Sequence, residues 1–67
     1  MNYLPHQQRV IDEAKELNDR IDRLDAFLRS GELNDIKSDN EENLLYRQIY
    51  HMRLYLMTLN ERIILWG

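Results

Sequence analysis

Two stripes of apolar residues, spaced alternately by four and three positions, govern what this chain can become. Val10, Ala14, Leu17, Ile21, Leu24 and Leu28 form the first. Leu45, Ile49, Met52, Leu56, Leu59, Ile63 and Trp66 form the second. A repeat averaging 3.5 residues keeps every member on one narrow face of an α-helix, whereas a strand would scatter the same residues over both faces of a sheet. The spacing predicts an all-α chain, an antiparallel two-helix hairpin of coiled-coil character.

Local signals place the helix ends. Pro5 suits a first helical turn, where its missing N–H costs nothing. The first helix is expected over about 5–30, ending at Gly31, which can adopt the left-handed C′ conformation without steric penalty. Arg29 in its last turn complements the helix dipole. Residues 31–40 read as a connector, with Leu33 and Ile36 as an apolar plug. Ser38 and Asp39 are alternative N-caps, each with a glutamate three positions on (Glu41, Glu42), the spacing of a capping box. The second helix is expected over about 40–65.

Sixty-seven residues make one domain, residues 1–67, with a small core. The chain has no cysteine, so neither disulfides nor a thiolate zinc site staples it. Self-association is the remaining common route to stability at this size. The second helix supplies a reason for it. Besides its stripe it carries Leu44, Tyr46, Tyr50, Leu54, Tyr55, Met57, Ile64 and Leu65, and Tyr50, Met57 and Ile64 recur every seven residues on a second face. One partner helix cannot cover both faces, so the hairpin is expected to assemble into a helical homo-oligomer.

Charge narrows the partners. Twelve acidic and nine basic residues give a net charge of −3 with both signs interspersed. That balance argues against polymeric nucleic acid, which calls for a basic stripe. No twenty-residue apolar run is present to span a membrane, and the beginning of the chain lacks the pattern of a secretory signal. A cytoplasmic setting is expected.

Several constellations deserve weighing for chemistry. The acidic column Asp12, Glu16 and Asp19, with Asp22 and Asp25 nearby, has the oxygen ligands a hard cation takes. It also has basic residues four positions on, in Glu16–Arg20 and Asp19–Arg23, as a solvated helix face would. No histidine joins it in the spacing of a carboxylate di-iron bundle, so no metal is expected. His6 and His51 lack a nucleophile or a second histidine at a recognisable spacing. No phosphate-binding loop, dinucleotide fingerprint or hydrolase elbow is present. The expectation is a protein that is not an enzyme and uses no cofactor. Tyr3, Tyr46, Tyr50 and Tyr55 accompany Arg9, Arg47, Arg53 and Arg62, and seven of the nine basic residues are arginine. Arginine grips phosphate bidentately and tyrosine stacks on bases, so an oligomer interface lined by both suits a small anionic nucleotide. The same residues also suit an interface rim in which arginines pair with carboxylates.

Two stretches carry a family resemblance: Pro5-His6-Gln7-Gln8-Arg9-Val10 followed by Glu13 and Leu17, and Arg47-Gln48 followed by Met52, Tyr55, Leu59 and Glu61-Arg62-Ile63. They resemble small helical-hairpin proteins of bacteriophages, related to those of crAss-like phages. The architecture is similar to the hairpin domain of phage anti-defence sponges, which sequester the cyclic oligonucleotide or cyclic ADP-ribose signals of the CBASS and Thoeris immune systems. The resemblance implies an oligomeric sponge that binds a cyclic nucleotide at subunit junctions without cleaving it, in the cytoplasm of the infected bacterium. It implies that Arg9 and Arg62 hold phosphates, that Gln48 and Tyr55 read or stack a base, and that His6 assists. A phage protein whose apolar second helix caps a host enzyme or regulator is the alternative.

Overall fold

The computed structural model describes residues 3–31 and 39–66. Two helices, α1 (Pro5–Arg29) and α2 (Asp39–Trp66), pack side by side in opposite directions. The hairpin is elongated, 48 Å along its principal axis against 16 and 15 Å across.

Both helices follow the expected boundaries within about a residue. At the start of α1, Pro5 occupies the first turn, and the Leu4 backbone N–H donates to Gln7 Oε1 at 3.0 Å. That bond is the reciprocal half of a capping box; the Leu4 side chain cannot supply the other half. At the end of α1, Ser30 Oγ and Ser30 N–H both donate to the Phe27 carbonyl, at 2.8 and 3.3 Å. Gly31 follows at φ 85°, the left-handed conformation anticipated there. Asp39 is the first residue of α2, and with Glu41 and Glu42 it sets negative charge against the helix N-terminus. Asp39 is thus a helical residue, not the cap. Ser38 and the Leu33–Ile36 plug lie outside the described residues.

The two stripes meet. Val10, Ala14, Leu17 and Ile21 of α1 are buried against Ile49 and Leu59 of α2, and Leu59 is fully enclosed. Leu24, Leu28, Met52, Leu56, Ile63 and Trp66 pack around that core while remaining partly exposed. A single neighbouring helix shields the centre of a stripe and leaves its shoulders wet. At the open end, the Tyr3 and Trp66 rings lie 6.5 Å apart at 56°, so the lead-in to α1 closes over the end of α2.

Among the described residues nothing covers the outer face of α2. Tyr50, Met57 and Ile64 are 59%, 56% and 75% exposed, with Leu54 and Leu65 beside them.

Candidate functional site

An antiparallel pair of heptad helices sets like flanks against each other. On one flank α1 contributes His6, Glu13 and Arg20, and α2 contributes Gln48, Tyr55 and Arg62, each series spaced by seven residues. The register can be read at its centre, where the Tyr55 hydroxyl donates to the Glu13 carboxylate. One heptad toward the open end, about 10.5 Å along the axis, the same register sets His6 opposite Arg62. One heptad the other way it sets Arg20 opposite Gln48. Arg9 stands on the shoulder of this flank, a turn from Glu13.

The fold thus sets His6, Gln48, Tyr55 and Arg62 along one flank, with Gln48 two heptads from His6 and Arg62, about 21 Å along the axis, and Arg9 on its shoulder. All five are exposed. The Gln48 side-chain amide lies 3.9 Å from Met52 Sδ, a weak contact that leaves its hydrogen-bonding capacity available. Glu13 and Arg20 complete the flank and were absent from the expected site. Their signal was the seven-residue spacing from His6, legible only once the flanks are known to pair like with like.

Electrostatics tie the centre together. The Tyr55 phenol is raised above its ordinary pKa, chiefly by its hydrogen bond to the Glu13 carboxylate, then by desolvation and by the Glu13 charge, while the Arg62 guanidinium pulls the other way. Arg62 is therefore electrostatically coupled to the Glu13–Tyr55 pair. Arg9, Arg20 and Arg62 make no ion pair with any described carboxylate. The flank combines arginines outside ion-pair distance of any described carboxylate, the Glu13-bonded Tyr55 phenol and the Gln48 amide; arginine and amide groups suit phosphate and a polar ring edge, while the Glu13 carboxylate opposes an anion at the centre.

The opposite flank differs. Asp25 accepts from Arg53 across the hairpin at 3.3 Å and from Arg29 four residues on at 3.0 Å. The anticipated Glu16–Arg20 and Asp19–Arg23 pairs do not form. Exposed pairs of that kind gain little over solvation, and both ends stay in water. Asp12, Glu16 and Asp19 of the acidic column are each exposed, and among the described residues no three His, Asp or Glu side chains converge. No described helix is long and apolar enough to cross a membrane. His51 lies beside Tyr50, ring centroids 5.6 Å apart, and stands on α2 a turn from Tyr55, as Arg9 stands on α1 a turn from Glu13.

Fold and flank together define a small helical hairpin with an exposed, arginine-bearing polar ridge. The Sequestin family matches residues 4–65, and the chain belongs to that family. No curated protein and no solved structure matches it. The family's name denotes sequestration, in keeping with a binding and non-catalytic role.

Proposed function

We propose that this chain is a phage anti-defence sponge. It binds cyclic nucleotide immune signals, of the cyclic oligonucleotide or cyclic ADP-ribose type, and withholds them from their receptor without cleaving them. It acts as a homo-oligomer in the cytoplasm of the infected bacterium. Ligand phosphates meet Arg62 and Arg9 at a junction between copies, Tyr55 and Gln48 take the base, and His6 assists from across the hairpin.

The observation that carries this reading is the polar flank, where three arginines with no ion pair to any described carboxylate, Arg9, Arg20 and Arg62, lie on either side of the Glu13–Tyr55 pair in a chain of the Sequestin family. Unpaired guanidiniums beside a phenol and an amide are poised for an anionic ligand. The exposed outer face of α2 supplies the contact between copies.

The test is a thermal-shift and calorimetric screen of the purified protein against cyclic dinucleotides, cyclic trinucleotides and cyclic ADP-ribose isomers. A sponge gains thermal stability from at least one of them by mass action, and it releases that ligand intact after heat denaturation. Linear products would overturn the non-catalytic reading, and no response across the panel would overturn the sponge.

The apolar outer face of α2 supports a second reading. Tyr50, Met57, Ile64 and Leu65 form an exposed patch equally suited to capping a host protein. A host enzyme or regulator retained by the wild type and lost on Met57→Glu, with no nucleotide response, would favour it.

A further inference from the structure

The flank opposite Tyr55 carries a groove that the proposed site does not use. It is an open depression of about 270 Å³, floored by Ala14, Leu56 and Ile63 and rimmed by Lys15, Asn18 and Asn60. Its origin is a single small residue. Every other α1 stripe position holds Val, Leu or Ile, whereas Ala14 stops at Cβ and leaves room beneath Leu56 and Ile63. The register that pairs Asp25 with Arg53 places Asn18 opposite Asn60 one heptad nearer the open end. Where the first pair closes the flank with an ion pair, the second leaves two carboxamides facing one another over an apolar floor. Neither amide makes a hydrogen bond within the described chain, and Lys15 makes no ion pair there.

We propose that this groove binds the adenine base of a nucleotide, with Lys15 meeting the adjoining phosphate. A carboxamide offers a donor and an acceptor side by side, which matches the amino and ring-nitrogen edge of adenine. The aliphatic floor takes one face of the ring, as apolar side chains do in nucleobase pockets. The size agrees. Pockets that enclose a whole small molecule run to about 300–1,000 Å³, so this one accommodates a base and leaves ribose and phosphate at the rim, where Lys15 stands. A second copy of the chain is a poorer occupant, because a packed helix would bury the Asn18 and Asn60 amides and the Lys15 ammonium against apolar surface.

The ligand class rests on the sponge reading; the location does not, since it lies on the other flank from Arg62. The probe is adenosine 5′-monophosphate, titrated into isotopically labelled protein and followed by NMR, with ribose 5-phosphate as the baseless control. The adenine nucleotide is expected to shift the Asn18 and Asn60 side-chain amides and the Ala14 methyl in a saturating manner, while ribose 5-phosphate leaves them in place. Asn60→Ala, at an exposed position, is expected to weaken binding about tenfold, the worth of one well-formed amide–base contact. Ala14→Leu is expected to abolish it by filling the groove, with helicity checked by circular dichroism. Equal shifts from both probes, or unchanged affinity in Asn60→Ala, would overturn the groove. So would movement of these signals with protein concentration alone, which would make it a contact between copies. A cyclic nucleotide that binds the wild type and Asn60→Ala alike, but not Arg62→Ala, would leave the sponge standing and remove the groove. Adenine binding at the groove with no cyclic-nucleotide response would do the reverse.

Discussion

Asp25 on α1 and Arg53 on α2 are ion-paired across the hairpin at 3.3 Å, and with the Tyr55–Glu13 hydrogen bond on the opposite flank they mark the axial register in which the apolar seam holds the two helices. Each bond sits on the shoulder of the apolar seam. Together they show which polar residues face one another along the rest of both flanks.

Removing the Asp25 anchor should cost little energy. Asp25 retains 31% side-chain exposure and Arg53 54%, so solvent competes for both. Asp25→Asn is expected to lower stability by less than about 1 kcal/mol. The difference from wild type should shrink as salt rises, because screening weakens the pair. Urea unfolding at low and high sodium chloride measures both.

Leu59 should be the position least tolerant of truncation. It is fully enclosed, so Leu59→Ala leaves a cavity as well as losing apolar contact, and a loss of about 2–5 kcal/mol is expected. That is a large share of the stability of a domain this small. Leu54, 42% exposed on the outer side of α2, is the contrast. Leu54→Ala should change the stability of the isolated hairpin by no more than about 0.5 kcal/mol. Thermal and chemical unfolding of both variants by circular dichroism checks the ranking.

Tyr55 should ionise above the ordinary tyrosine value of about 10. Because the fold favours the neutral phenol, its contribution to stability is complete below that value and is lost as pH climbs through the raised folded pKa. Glu13→Gln removes the carboxylate acceptor and its charge, so the Tyr55 midpoint should fall. An NMR titration of the Tyr55 ring in wild type and variant reads this directly, and an unchanged midpoint would contradict the Glu13–Tyr55 bond.

Arg62→Ala should weaken cyclic-nucleotide binding by about 1.5–3 kcal/mol, the usual worth of a hydrogen bond to a charged group. It should leave the helices intact, since Arg62 is exposed beside the seam. Arg9→Ala should have the smaller effect, because Arg9 stands on the shoulder of the flank. Calorimetry on the two variants decides their order, and wild-type affinity in both would remove this flank as the ligand site.

Met57→Glu should reduce self-association without unfolding the hairpin. Met57 is 56% exposed at the centre of the outer α2 ridge, so a carboxylate there stays hydrated in the monomer and would be buried between copies. Light scattering should show a smaller species for the variant than for wild type. A monodisperse wild-type monomer at micromolar concentration would refute assembly through this face.

The stripes made the hairpin legible before any coordinates. Heptad spacing is a local property that aims each side chain on its own helix, so Val10 through Ile21 and Ile49 through Leu59 could be assigned to the seam from their spacing alone. Pro5 and Gly31 marked helix ends for equally local reasons, a fixed φ and a permitted positive φ. The spread of apolar residues around α2 likewise announced a face that one partner could not cover. Spacing along one helix does not say how far the other slides past it. That offset is set by how the two seams interdigitate, which couples residues 28 to 42 positions apart. The tertiary structure alone therefore decided that Glu13 meets Tyr55, that Asn18 faces Asn60, and that Tyr3 closes over Trp66. The void at Ala14 has the same cause: a short side chain becomes a groove only when the facing residues, Leu56 and Ile63, fail to fill it.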